Sequence, residues 1–298
     1  MTHPISGLKR RILKYILVSL ALACAILISL RTIYAFSLFN DLSSALHSSG
    51  WSDSTGDGIM EPKEDMTFEA SYLFFKIGSV RFEVIGKSVY DSLPAYKVRA
   101  FIDSYSGIPF VNLHAVFDAY ADANTHYCLF SSNSQKDGDK WIYTGYHFNY
   151  PAKKFEWEQS ENGKLLRKIE LPLDKNYTDG VTFFYYLRGV CRGAAGKKTD
   201  LNIPIIVDTV MSSVNMTINE KREPCEVTAF DYPLDSYKMS GHINFTGFFG
   251  VSGDFTGWMS TDSAEVPLRG DVSVFIGSIV VRLKEIHRAG WTPIRSAD

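Results

Sequence analysis

Apolar and polar residues alternate along many short stretches of the chain, and this period of two restricts the fold more than any other feature. In residues 67–75 every second residue is apolar, namely Phe68, Ala70, Tyr72 and Phe74. The alternation recurs in residues 80–84 and 96–103, and Asn162-Gly163 is a typical two-residue hairpin turn. Because successive strand side chains point to opposite faces, the pattern predicts antiparallel strands with one buried and one solvated face.

Further stretches of the same character fill the rest of the body. They are residues 141–150, 154–159 and 165–171, followed by 203–208, 214–219, 226–230, 238–248, 254–260, 266–268 and 272–283. The aromatic content of 14% also favours strands. We therefore expect a mainly β domain over residues 66–285. It would be a single large curved antiparallel sheet, as a half-barrel or open barrel.

Two stretches are predicted to form short helices against this sheet. Phe110–Phe117 follows a proline, and Tyr177–Cys191 is longer, with Asp179 as its N-cap. One stripe of the longer helix consists of Val181, Phe184, Tyr185 and Arg188. Its aromatic side chains are expected in the core rather than around a cofactor.

The first 36 residues have the composition of an export signal or an apolar membrane helix. Basic residues between Lys9 and Lys14 precede an uncharged run of 16 residues, Tyr15–Leu30. At about 1.5 Å per helical residue this run covers roughly 24 Å of a ~30 Å hydrocarbon core, so a signal peptide and an N-terminal anchor both stay open. In either case the body is expected outside the cytoplasm, in the periplasm or attached to the inner membrane facing it. Residues 37–65 are predicted to be a polar connector and residues 286–298 a C-terminal tail.

Charge and motifs restrict the possible chemistry. Five of the 31 basic residues precede Phe36, so the remaining 26 stand against 33 acidic residues, a net charge of −7. An acidic body makes nucleic acid an unexpected partner. No metal-binding histidine pair, nucleophile elbow, phosphate-binding loop or dinucleotide motif occurs, so neither a cofactor nor catalysis is expected. An active site assembled from distant residues stays open as an alternative.

Cysteines give a weaker signal. The body contains Cys128, Cys191 and Cys225, and in an oxidising compartment one disulfide is expected among them, with every pairing open.

Residues 53–64 have the spacing of a twelve-residue calcium loop. Its oxygen ligands would be Asp53, Thr55, Asp57, Glu61 and Glu64. A solvated acidic connector is the favoured alternative, because Thr55 and Pro62 depart from the usual pattern.

The apolar face of the predicted sheet is too large for one helix to seal. Either the sheet fills its own interior, or a groove remains for an apolar guest such as an acyl chain. The candidate groove residues are Tyr72, Phe74, Val80, Phe82, Val84, Phe184, Tyr185 and Trp258.

Several short motifs occur in a characteristic order. They are Phe68–Tyr72 followed by Ile77-Gly78, the stretch Asp179–Arg188, Trp258–Asp262, Val266-Pro267 and Gly277. In these motifs the chain resembles a family of exported bacterial proteins known as domain of unknown function 3108, over residues 66–285. More distantly it is similar to lipoprotein-carrier half-barrels, a resemblance that implies lipid held under a helix but no reaction.

Together these observations predict a non-catalytic protein of the cell envelope that binds or carries a lipid or acyl chain in a curved β-sheet. A structural or interaction module in envelope assembly, contacting other envelope proteins, is the first alternative. A hydrolase with a dispersed active site is the second. In all three cases the N-terminal segment would provide the contact with the membrane.

Overall fold

A computed structural model describes residues 58–107, 113–194, 196–243, 253–274 and 277–297. They form fourteen strands and one helix. The strands are β1 (Asp65–Tyr72), β2 (Phe75–Tyr90), β3 (Leu93–Ser104), β4 (His114–Asp122), β5 (Cys128–Asp137), β6 (Lys140–Asn149), β7 (Lys154–Glu161), β8 (Lys164–Pro172), β9 (Thr199–Val207), β10 (Val210–Cys225), β11 (Leu234–Ile243), β12 (Gly253–Ser260), β13 (Pro267–Ser273) and β14 (Ser278–His287). The helix α1 spans Thr182–Ala194. Within these ranges, no helix has the length and apolar character that a membrane span requires.

All fourteen strands belong to one sheet in which the first strand pairs with the last. The order is β8-β7-β6-β5-β4-β3-β2-β1-β14-β13-β12-β11-β10-β9. The seam between β1 and β14 is antiparallel, with Asp65 opposite His287 and Tyr72 opposite Ile279. The prediction of one large antiparallel sheet is therefore confirmed.

A short segment before α1 connects two distant strands of this sheet. The backbone N–H of Cys128 on β5 donates to the carbonyl of Tyr177 at 3.0 Å. The next residue, Thr178, donates to Pro204 at 3.0 Å and accepts from Ile206 at 2.9 Å, both on β9. The segment thus links the start of β5, an interior strand of the sheet, to β9 at one edge of the sheet.

The helix α1 lies on the inner face of the sheet and contacts it on two sides. Tyr185, with the preceding Val181, belongs to a core cluster that includes Phe82, Val98 and Phe117. Leu187, Cys191 and Ala194 belong to a second cluster with side chains of β9 to β12, namely Ile203, Met216, Ile218, Tyr237, Met239 and Met259. Because both clusters meet at α1, the helix fills the interior of the roll.

Three local predictions were wrong. Residues 114–117 of the predicted first helix belong to β4, where Ala115, Phe117, Ala119 and Ala121 alternate inward, while residues 108–112 lie outside the described ranges. Residues 226–230 form no strand, and the N–H groups of Thr228 and Ala229 donate to Leu283 instead. The single strand predicted over 272–283 is divided into β13 and β14, with Gly277 between them at a φ of +84°.

Residues before and after the predicted sheet also pack on the folded domain. Ile59 and Met60, in the predicted polar connector, are 0% and 2% exposed and belong to the core around α1. In the predicted tail, the carbonyl of Ile294 accepts a hydrogen bond from Asp235 at 2.9 Å. Residues 1–57, with the predicted export signal, lie outside the described ranges.

Candidate functional site

The start of α1 is fixed by reciprocal hydrogen bonds between Asp179 and Thr182. The Asp179 carboxylate accepts from the N–H of Thr182 at 2.8 Å and from its hydroxyl at 2.6 Å. In return, the Asp179 N–H donates to the Thr182 hydroxyl at 3.0 Å. The predicted N-cap is therefore confirmed, although the helix begins five residues later than Tyr177.

A buried ion cluster fastens α1 to the base of β1. Arg188 on α1 is 0% exposed. Its two terminal nitrogens donate to Glu64 at 2.5 and 3.0 Å, and its Nε donates to the carbonyl of Ala264 at 3.0 Å. Arg288, after the end of β14, also pairs with Glu64 and donates to the carbonyls of Gly58 and Ile59. Three charged side chains thus join the start of the sheet, its last strand and the helix.

The ion pairs explain why charge is tolerated at this depth. Burial alone lowers the pKa of Arg188, but the adjacent Glu64 carboxylate outweighs it and holds the pKa above the ordinary arginine value. Tyr185 stacks against this guanidinium, with Arg188 Cζ 5.7 Å from the ring centroid. Its hydroxyl is buried without a hydrogen-bond partner, and burial together with Glu64 raises its pKa. The cluster is suited to holding α1 in place.

A second buried carboxyl lies at the turn between β12 and β13. Glu265 is 2% exposed, and its Oε2 has no hydrogen-bond partner. Burial and the neighbouring Asp262 raise the pKa of Glu265 to about 8, against the opposing effect of Arg192 and Arg188. This side chain is therefore protonated over much of the physiological pH range.

Most of the residues predicted to line an apolar groove belong to the core around α1 or pack against it. Phe82, Val84 and Tyr185 are buried in it, and Val80, Phe184 and Trp258 pack against it. The rings of Phe82 and Phe184 have centroids 4.9 Å apart. Tyr72 is buried, but Phe74 is 82% exposed at the β1–β2 turn. Trp258 also donates from Nε1 to Glu223 at 2.6 Å, so its polar end is occupied.

The proposed calcium ligands are not assembled by the described part of the chain. Asp53, Thr55 and Asp57 lie outside it, and Glu64 has both oxygens engaged by arginines. Glu61 is among the described residues, and these contain no group of three or more side chains that could hold a metal ion.

The expected disulfide is not formed in the structure. Cys128, Cys191 and Cys225 are buried free thiols. They belong to three separate core clusters, which explains why no two of them pair. Burial raises the pKa of all three thiols, which makes them poor nucleophiles.

A polar depression of about 760 Å³ lies across β9 to β12, and sequence reasoning missed it. Directly opposed residues form it: Asp200 faces Thr217, and His242 faces Asp254. His242 Nδ1 lies 2.6 Å from Asp254 Oδ1, with the two side chains 51% and 80% exposed. Such exposure leaves the pair screened by water, so it resembles a solvated cross-strand contact more than a catalytic dyad.

The fold and these interior contacts define a β-barrel-like protein in which one rolled sheet encloses one helix. A family model described as protein of unknown function, DUF3108, matches residues 67–284, and the chain belongs to this family. The expected family resemblance is thereby confirmed.

A solved structure from another protein family shares this fold. The chain is similar to a β-barrel-like protein of the DUF1849 family from Brucella abortus, with a TM-score of 0.52 at 10% identity, covering 77% of this chain and 99% of that one. A protein from Bacteroides fragilis with a YmcC-like fold, provisionally described as exported, aligns with a TM-score of 0.31 at 8% identity over 76% of this chain and 97% of that one. Comparison with curated proteins finds no match.

Proposed function

We propose that the protein is a non-catalytic structural or interaction module of the cell envelope that acts through its outer surfaces. The observation that carries this proposal is the position of α1, which is fastened inside the roll by Arg188, Glu64 and Arg288. A carrier would need that interior for its cargo.

The buried contacts argue against an interior that opens to lipid. Moving α1 away would separate Arg188 from Glu64 and break their two charge-assisted hydrogen bonds, and a hydrogen bond to a charged group contributes about 1.5–3 kcal/mol. The same movement would expose Tyr185 and Leu187, which are 0% and 5% exposed. A lipid would have to compensate for both losses.

The proposed location in the cell envelope is argued from the sequence of the amino-terminal segment. The basic residues from Lys9 to Lys14 and the uncharged run Tyr15–Leu30 support export or anchoring. The absence of catalysis is part of the proposal and is supported by the exposed setting of the His242–Asp254 pair.

Native mass spectrometry of the full chain, released from detergent micelles, tests the closed interior. The expected result is a ligand-free mass. One acyl-chain lipid retained per protein molecule would overturn the proposal and restore the carrier.

A pair of phenylalanine variants supplies the control. Phe184→Ala removes a ring that lies against Phe82, so it should open a cavity in the core, and benzene should then raise the melting temperature. Phe74→Ala removes an equal ring from a side chain that is 82% exposed and should show no such response. If benzene stabilises the wild-type protein as much as Phe184→Ala, the interior is not filled.

A further inference from the structure

Exposed apolar side chains are concentrated at one edge of the sheet. Ten large apolar side chains are exposed in the part of the chain that the structure describes. Seven of them lie where the strands end and turn, at the same end of the sheet as the β1–β2 turn. We call this row of strand ends the apolar edge: Leu73, Phe74, Phe75, Trp141, Leu165, Leu166 and Val210. All seven lie in the β1–β2, β5–β6, β7–β8 and β9–β10 hairpins, within three residues of a turn. Leu93 and Ile294 are at the opposite edge, and Ile85 lies within β2.

Among the described hairpins of this edge, the β1–β2 hairpin is the most exposed. Leu73, Phe74 and Phe75 are 46%, 82% and 57% exposed, and the two rings lie 4.6 Å apart. Leu73 has a φ of 56°, a backbone region in which hairpin turns usually place glycine or asparagine. The chain itself uses Asn162-Gly163 at another turn of the same edge. Folding alone would therefore favour polar residues at 73–74.

Two lysines beside the exposed hairpins are each paired with a carboxylate. Lys76 follows Phe75 and pairs with Glu69 at 2.9 Å. Lys140 precedes Trp141 and pairs with Glu161 at 3.0 Å. Attraction to a charged surface is thus weak, and burial of apolar area is the main force that this edge offers a partner.

We propose that the apolar edge docks on a lipid bilayer, with the β1–β2 hairpin inserted at the level of the headgroups. This deepens the proposed function, on which it rests, by naming the partner of the outer surface. Phenylalanine, leucine and tryptophan are the residues that enter membrane interfaces, and lysines beside them keep their ammonium groups in water.

The length of the preceding chain permits this orientation. Gly58 lies near Arg288, at the edge opposite the hairpin. The 27 residues between Leu30 and Gly58 can span up to ~90 Å, whereas the eight residues of β1 cover about 27 Å. A chain that begins in a membrane can therefore return its apolar edge to the same membrane.

Depth-dependent quenching in phosphatidylcholine vesicles tests the proposal with the full chain. Single cysteines replace Phe74 or Leu93 in a Cys24→Ala background and carry a polarity-sensitive fluorophore, since the other three cysteines are buried. Spin-labelled lipid should quench the label at position 74 at least twofold more than the label at position 93. Equal quenching at both positions would overturn the proposal.

A second pair of variants separates insertion from other contacts. Adding Phe75→Asp should lower the quenching at position 74 at least twofold, whereas Ile294→Asp, at the opposite edge and 43% exposed in the native protein, should leave it unchanged. Quenching that requires phosphatidylglycerol would also contradict docking by apolar insertion. None of these results bears on the closed interior, which mass spectrometry tests separately.

Discussion

Replacing Glu265 by glutamine should remove a pH-dependent loss of stability. The Glu265 side chain is 2% exposed, and burial, with Asp262, raises its pKa from 4.5 to about 8 in the folded protein. At a pH below the pKa of Glu265 in the unfolded chain, both states carry the proton, so this group adds no pH dependence there. At a pH between the pKa values of the unfolded and folded states, the unfolded chain releases the proton while the folded protein keeps it. The free energy of unfolding therefore falls as the pH rises through this range.

The size of this loss of stability follows from the pKa shift of Glu265. Each pKa unit corresponds to about 1.36 kcal/mol, so the full shift lowers the free energy of unfolding by ~3–5 kcal/mol once the pH exceeds the pKa of the folded state. Glu265→Gln cannot ionise. At about pH 9 the variant should therefore be more stable than the wild type by ~3–5 kcal/mol, and at about pH 4 the two should agree within ~1 kcal/mol.

Urea unfolding followed by circular dichroism over this pH range measures the difference. Glu220→Gln serves as the matched control, because it makes the same chemical change at an exposed position. A stability difference between Glu265→Gln and wild type that does not change with pH would refute the reasoning.

Three further substitutions test the contacts that fix the helix and the sheet. Arg188→Met should destabilise the protein by ~2–3 kcal/mol in urea unfolding, because Glu64 loses two charge-assisted hydrogen bonds and keeps only Arg288 as its partner, and a loss below ~1 kcal/mol would show that the cluster does not fasten α1. Asp179→Ala removes the helix cap and should reduce the free energy of unfolding, also measured in urea, by about 1–2 kcal/mol; an unchanged midpoint would contradict the capping role. Gly241→Ala places a methyl group 2.4 Å from a backbone oxygen of β10 and should lower the melting temperature, whereas Gly270→Ala, with open space around it, should not; equal melting temperatures would argue against close packing at Gly241.

The sheet could be predicted from sequence because its signal is local. Alternation in residues 67–75 and the Asn162-Gly163 turn each specify a piece of strand without knowledge of its partner. The fourth and fifth strands were missed because β4 buries alanines and β5 is rich in serine, so neither shows the usual contrast between large apolar and polar residues. The pairing of β1 with β14 has no local signal at all.

The interior contacts could be predicted only in part. The Asp179 cap was evident because its partner is three residues away. Glu64 was assigned to a connector or calcium loop because its partner Arg188 is 124 residues distant. One clue was available: Arg188 shares a helical stripe with Phe184 and Tyr185, and a charge on an apolar stripe requires a buried counter-ion.

The seam between the first and last strands sets the order in which the fold can be completed. Synthesis from the amino terminus delivers β1 about 200 residues before β14. Until then one side of β1 is an open edge, ready to pair with a neighbouring chain. Such distant pairing also slows folding. Loss of the final strand would leave that edge permanently uncovered, so the last residues to emerge protect the first from aggregation.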